Sequence, residues 1–319
     1  MKDLPIYYST GALLYCPANN KSVASSVINN KFGKKYSLAL CLEDTINDKY
    51  VQEAENILYT SLLEIYQAQE NYTFFLPYIF IRIRNTGQIF RLEKKFKEIN
   101  KIITGYIIPK FSIENANSYI QAAIKLNENS VNPVYIMPIY ESPSIIDLRT
   151  RYDILYTLKD KISKIEDRIL NIRVGGNDLC HIFGFRRRDN ESIHQIKPVA
   201  QVFSDICTVY GMDYVVSGPV WEYFNSNNWI QGLQNEINDD KLCGFTGKTV
   251  IHPKQIEIIN NAYKVNKDDY FSAKSILNWD TSSHSFVSPD INKQRMDEYK
   301  THTNWAKKIL LMSEVFGIK

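Results

Sequence analysis

The sequence predicts an α/β protein, a (β/α)8 TIM barrel with a C-terminal helical extension, on three observations. Short apolar runs recur eight times along the 319 residues, each bounded by turn residues. Segments with helical spacing separate them, and near-continuous apolar strands alternating with helices imply a parallel sheet covered on its faces. No GxGxxG opens a helix after the first strand, which sets aside the doubly wound open sheet, and eight units match the number that closes a barrel.

In chain order the runs are "ALLYCPA" (12–18), "SLALCLED" (37–44), "YIFIRIR" (78–84), "GYIIPK" (105–110), "VYIMPIYE" (134–141), "LNIRVGG" (170–176), "DYVVSG" (213–218) and "TVIHP" (249–253). Between the second and third lies "KYVQEAENILYTSLLEIYQAQ" (49–69), where Val51, Ala54, Ile57, Leu58 and Leu62 mark one helical face. "PVAQVFSDICTVYG" (198–211) repeats Val199, Val202, Phe203, Ile206 and Val209 at three- and four-residue steps, with Gly211 as a stop. Residues 265–290 break the rhythm, and 296–316 read as a terminal helix. The expected division is a barrel over 1–265 and an extension or lid over 266–319, packed on the barrel or on a neighbouring subunit.

Hydrophobic residues at 44% and charged residues at 23% are ordinary for a folded globular chain. With 38 basic and 35 acidic residues the net charge is only +3, so nothing demands a nucleic-acid partner. The five cysteines have no CxxC spacing, which speaks against a zinc knuckle or a disulfide framework. No run approaches the apolar length that spans a bilayer, and the first residues lack a signal-peptide pattern. A cytoplasmic protein with a small-molecule substrate, and no nucleic-acid or membrane partner, is the expectation.

Side chains at the carboxyl ends of barrel strands converge on one mouth, where barrel active sites are found. Those ends carry Glu43 and Asp44, Arg82 and Arg84, Lys110, Glu141, Asn177 and Asp178, and His252. So many charges in one mouth are costly unless a cation or a charged ligand organises them. Glu141 and Asp178 end neighbouring strands, and two carboxylates on a rigid rim suit Mg²⁺, which keeps waters and leaves positions for substrate oxygens. Such an ion polarises a carbonyl and stabilises an enolate. Gly175 and Gly176 let the backbone approach the ligand while Asp178 faces the metal. Plainer readings stand beside these. Ser142 or Glu141 starts a helix and Asp178 is likewise an N-cap, one of Arg82 and Arg84 faces outward into a salt bridge, and His252 is a satisfied loop histidine. The run "RRRD" (186–189) is a solvated loop or a phosphate holder.

The stretches "LLYCPANN", "LALCLEDTI", "IRIRNTG", "YIIPK", "MPIYESP", "VGGNDL" and "GFTGKTVIHPKQIEIINNAY" resemble, in order and rough spacing, the motifs of the citrate lyase β-subunit-like group of the HpcH/HpaI aldolase superfamily. The similarity covers about residues 10–265. It is nearest to a divergent branch of carbon–carbon bond lyases associated with tellurium-resistance and stress operons. The resemblance implies Mg²⁺, or Mn²⁺ in its place, held by Glu141 and Asp178, and Arg82 binding substrate oxygens and steadying an enolate. Glu43 and Asp44, with Lys110, match acids and a lysine that brace the metal's surroundings, and Arg187 falls where the family has a substrate-binding arginine. Asp297 matches the aspartate of a C-terminal lid that completes a neighbour's site, which implies a homo-oligomer, a trimer or higher.

The sequence departs from the family pattern at Cys41 and Asn177, which stand where the family has acids, and after "PK", where Phe111 and Ser112 replace a glutamate. Arg84 and His252 stand where the family has asparagines. The mouth is therefore more basic than the family norm, which speaks against the family's usual acetyl-CoA, citryl or malyl thioester and favours a more anionic, phosphorylated substrate; the partner expected is a small anion, phosphorylated or linked to coenzyme A. The resulting expectation is a Mg²⁺-dependent carbon–carbon lyase or aldolase acting through a metal-stabilised enolate on an anionic 2-oxo acid or acyl thioester. Arg82, Asp297 and His252 are its candidate catalytic residues. Arg82, Arg84, Arg187, Gly175, Gly176 and Asn177 are its candidate substrate contacts. The alternative is a non-catalytic ligand-binding or scaffolding barrel of a stress-response system.

Overall fold

The computed structural model describes residues 2–128, 130 and 132–319. Each of the eight apolar runs holds a strand: β1 Ala12–Pro17, β2 Ser37–Cys41, β3 Tyr78–Arg82, β4 Ile103–Ile108, β5 Tyr135–Tyr140, β6 Ile172–Val174, β7 Val216–Ser217 and β8 Lys248–Val250. They form one sheet in the order β7-β6-β5-β4-β3-β2-β1-β8, every pairing parallel. A parallel bridge from Gly218 to Lys248 joins the two ends, with the Thr246 N–H donating to the Val216 carbonyl at 2.7 Å. The barrel is thus closed, and no sheet edge is left open.

Register sets which side chains face inward, because side chains alternate along a strand. Leu13 lies opposite Ser37 and Thr249, Tyr15 opposite Ala39, and Cys41 opposite Arg82. Ile139 pairs with Arg173, and Arg173 with Ser217. These positions share one face. Arg173 Nη2 donates to Thr249 Oγ1 at 2.5 Å from beyond β7, which identifies that face as the barrel interior.

The predicted helix over 49–69 is Val51–Asn71. Ala54, Leu58, Leu62 and Ile65 are buried, while Ile57 is only half-buried. Glu55 is buried instead, held by the Gln88 amide at 2.8 Å and Arg91 at 3.2 Å from the helix Thr86–Phe96. Helix Lys197–Tyr210 buries all five predicted apolar positions. Beyond the barrel, helix Lys267–Leu277 leads to an antiparallel pair, β9 Val287–Pro289 and β10 Met296–Glu298, and then to helix Tyr299–Phe316. The terminal helix starts three residues later than predicted because residues 296–298 pair as a strand. Ala273, Ile276 and Ala306 form a small apolar cluster of this appendage. Backbone hydrogen bonds from Val265 to Gly317 at 3.0 Å and from Lys319 to Val265 at 2.9 Å tie its end to the barrel. No helix among the described residues is long and apolar enough to cross a membrane.

Outside the barrel wall lies a buried charge network. Thr249 faces inward, so Lys248 faces outward, where its Nζ meets Glu236 at 3.0 Å and Asp240 at 2.6 Å. Both acids lie on the helix Trp229–Cys243. Glu236 also forms an ion pair with Arg187, whose Nε lies 3.0 Å away and whose Nη2 donates to it at 3.3 Å, and accepts the Ile193 N–H at 2.8 Å. His194 Nε2 lies 2.8 Å from Asp240 Oδ1. Burial pulls the His194 imidazole down, but the Asp240 hydrogen bond and charge lift it further, against Lys248, to end above its ordinary value. A histidine raised in the folded state stabilises fully below its unfolded value of about 6.5 and loses that contribution as pH climbs through the folded value. Stability measured by chemical denaturation is therefore expected to fall as pH rises above about 6.5. His194→Gln should flatten that slope, and an unchanged slope in the variant would contradict the assignment.

Candidate active site

The strand ends bring six charged side chains to one mouth. Arg82, the last residue of β3, is the hub: its Nη2 lies 2.7 Å from Glu43, 2.9 Å from Asp44 and 3.4 Å from Glu141. Lys110, just after β4, reaches Glu43 at 2.7 Å and Asp44 at 2.9 Å. Its backbone is left-handed, with φ +49°, a conformation disfavoured for a residue with a side chain. That turn points the Lys110 N–H at Glu141 Oε1, 3.0 Å away. Burial pulls Arg82 down, but Tyr15 and the acids around it raise it overall, so it stays a cation. Desolvation opposes ionisation of Asp44, yet its hydrogen bonds with Glu43 and Lys110 hold it below its ordinary value.

Glu141 follows β5 and is 3% exposed. Burial pushes its carboxyl up to about 8; Arg82 opposes this and Asp178 adds to it. Asp178 is half-buried in the first turn of helix Gly176–Phe183 and caps nothing. Among the described residues its carboxylate has no hydrogen-bond or ion-pair partner. Ser142, not Glu141, caps the short turn that follows β5. Of the two starts expected for that turn the structure thus uses Ser142, and neither Glu141 nor Asp178 caps a helix.

The glycines act differently from the expectation. A Cβ on Gly175 would lie 1.9 Å from Glu141 Oε2, so Gly175 makes room for a protein carboxylate. A Cβ on Gly176 would meet Ile193 and Pro219 at 2.6 and 2.8 Å, so Gly176 serves packing. Asn177 is exposed beside Asp178.

Other predicted residues lie elsewhere. Arg84 staples the loop after β2: its Nε donates to the Leu42 carbonyl at 2.7 Å, Nη2 to the Glu43 and Ile46 carbonyls, and Nη1 meets Asp48 at 2.5 Å. Its guanidinium is committed to that loop, and the salt bridge expected of one arginine of the pair is the one to Asp48. Arg187 is also committed, 2% exposed, stacked 5.2 Å over Trp221 and bound to Glu236 and the Val220 carbonyl. Its guanidinium thus lies in the buried charge network outside the barrel wall. Asp297 is 4% exposed within the appendage, with Arg295 4.0 Å away. His252 stays on the rim after β8. Its ring stacks on Phe224 at 4.6 Å and 4°, and its Nδ1 accepts the Lys254 N–H at 3.2 Å. Burial and then Lys254 lower its pKa, leaving a neutral ring with Nε2 unused by those contacts.

Reasoning from strand ends missed Tyr15, Arg173 and Thr249, which lie within the barrel below the rim. A lone arginine inside the apolar run Ile172–Val174 was the available signal. A cavity of about 680 Å³ lies at the opposite end of the barrel, near the starts of β1 to β3, away from these carboxylates.

Among the described residues no group of three or more His, Cys, Asp or Glu forms a metal cage. The donor set that fits a cation is the pair Glu141 and Asp178, with hard oxygen ligands and Gly175 leaving space for the first. Two carboxylates with open positions suit Mg²⁺ rather than a structural zinc site. A closed barrel with carboxylates and a buried arginine at the carboxyl ends of its strands has the layout of a TIM-barrel enzyme. The chain belongs to the family of carbon–carbon bond lyases of the TIM-barrel fold, whose model matches residues 5–318. No curated protein matches the sequence. A Mycobacterium tuberculosis CitE protein, in complex with magnesium, acetoacetate and coenzyme A, is similar in fold with a TM-score of 0.63 at 18% identity, covering 97% of this chain and 99% of that one. A citrate lyase from Burkholderia xenovorans LB400 aligns with a TM-score of 0.70 at 14% identity, over 97% of this chain and 93% of its own. A citrate lyase β subunit from M. tuberculosis, complexed with oxaloacetate and magnesium, gives 0.54 at 18% identity, over 82% and 99%.

Proposed function

We propose that the protein is a Mg²⁺-dependent lyase that makes or breaks a carbon–carbon bond through an enolate of an anionic 2-oxo acid or acyl thioester. The observation that carries this reading is the pairing of buried Glu141 with partnerless Asp178 at neighbouring strand ends, beside the Arg82 guanidinium. The magnesium and oxo-acid ligands of the M. tuberculosis proteins agree with it. Mn²⁺ has the same preference for oxygen ligands.

A cation held by Glu141 and Asp178 supplies Lewis-acid polarisation of a substrate carbonyl. The chain's own residues do the rest. Arg82 and the Lys110 N–H fix the Glu141 carboxylate, which holds its geometry against rotation. Arg82 also places positive charge where the enolate oxygen develops, and it is already oriented by Glu43 and Asp44. Lys110 keeps those two acids neutralised on the solvent side. His252 is the proton acceptor best placed on this chain, neutral near pH 7 and on the rim.

Calorimetric titration of chelator-treated protein with Mg²⁺ and Mn²⁺, with and without pyruvate, tests the reading. Metal binding that tightens when pyruvate is present is the expected result. No binding of either ion under any of these conditions would overturn it.

A further inference from the structure

Four arginines are buried: Arg82, Arg151, Arg173 and Arg187. Three have acids. Arg82 holds Glu43 at 2.7 Å, Arg151 holds Asp205 at 2.7 Å, and Arg187 holds Glu236 at 3.0 Å. Arg173, 2% exposed, has no carboxylate within ion-pair distance among the described residues. Its Nη2 donates to the neutral Thr249 hydroxyl, its other side-chain neighbour is the neutral Tyr15 hydroxyl, and its Nη1 has no hydrogen-bond partner among those residues. A buried guanidinium without a counter-charge is costly, and an anion arriving beside it offsets that cost.

The place of Arg173 says which anion. It projects into the barrel, and the next inward position on β6 toward the mouth is Gly175, against which the Glu141 carboxylate lies. The Tyr15 hydroxyl stands beside Arg173, and the Tyr15 ring lies 6.0 Å from the Arg82 guanidinium. Arg82 and Arg173 are thus two cations on either side of Tyr15, one at the level of the acids and one below it. Arg82 has three acids around its Nη2, with only its Nε lacking a hydrogen-bond partner, whereas Arg173 has no acid at all among the described residues.

We infer that Arg173, oriented by Thr249 and Tyr15, receives a second negative group of the substrate, a carboxylate at the far end from the carbonyl, and so selects dianions over monoanions. This rests on the proposed 2-oxo acid site and adds to it the residue that sets specificity. A carboxylate there gains charge-assisted hydrogen bonds from a preorganised donor that a methyl group cannot accept.

Oxaloacetate and 2-oxobutyrate test it, since they differ only by a carboxylate in place of a methyl. Their Kd values are read by calorimetry with Mg²⁺ present. The native protein is expected to bind oxaloacetate at least about tenfold more tightly, and in Arg173→Met that gap should close. Arg173→Lys should keep part of it. If Arg173→Met does not fold, the Tyr15→Phe/Thr249→Val variant, which leaves the charge and removes its anchors, should narrow the gap instead. A gap that survives in the folded variant, or equal weakening of both ligands, would overturn the inference. Equal affinity of the native protein for both would overturn it while sparing the 2-oxo acid site. Failure of the native protein to bind either would remove both readings.

Discussion

Replacing Asp178 by alanine is expected to lower turnover by roughly 10³-fold or more and to abolish divalent-cation binding, with the barrel still folded. The reason is local. Asp178 is half-buried and has no protein partner among the described residues, so its removal orphans no donor. It also relieves Glu141, whose pKa it helps to raise. Stability should therefore hold or improve while the site loses one of its two anionic oxygen donors. Circular dichroism, a melting curve and metal titration on the same sample separate the two effects. Retained turnover in this variant would end the metal-dependent mechanism. Glu141→Gln is a less clean probe, because the Arg82 and Lys110 donors that converge on Glu141 lose their charged acceptor.

Glu236→Ala is expected to cost roughly 3–5 kcal/mol of folding stability, since it strips the partner from a buried charge. The carboxylate and its partner Lys248 are both 0% exposed, and the Arg187 side chain is 1% exposed. Without Glu236, Arg187 keeps only the distant Glu222 at 3.6 Å as a counter-charge, and the Ile193 N–H loses its acceptor. Lys248 retains Asp240, which moderates the loss. Chemical denaturation measures the effect, and a change under about 1 kcal/mol would show that the network relaxes or hydrates easily. Because Lys248 points away from the barrel interior, metal affinity at the mouth should be unaffected in the folded fraction. The two variants thus separate chemistry inside the wall from stability outside it.

The strands were legible because each is a short, continuous apolar run, and burial on both faces leaves that mark in the local sequence. β6 to β8 were legible as well, although only two or three residues of each pair regularly. The appendage was less so: residues 296–298 pair with 287–289 rather than beginning the helix, and nothing local in "MDE" distinguishes the two.

At the mouth the sequence exposed Glu43, Asp44, Arg82, Lys110, Glu141 and Asp178, because a polar residue at the end of an apolar strand has only the rim to occupy. It gave no sign that Arg84 and Arg187 are tied to protein groups, and it passed over Arg173, for one physical reason. An arginine's role depends on which acid its long side chain reaches, and that acid lies far away in sequence. Arg82 meets Glu141 59 positions on, Arg187 meets Glu236 49 positions on, and Arg173 crosses 76 positions to Thr249. Local pattern by itself determined the barrel, the order of its strands and the residues at their ends. Only closure of the barrel decided which charges were paired and that Arg173 was left without an acid, because pairing is set by distances through space that periodicity along the chain does not encode.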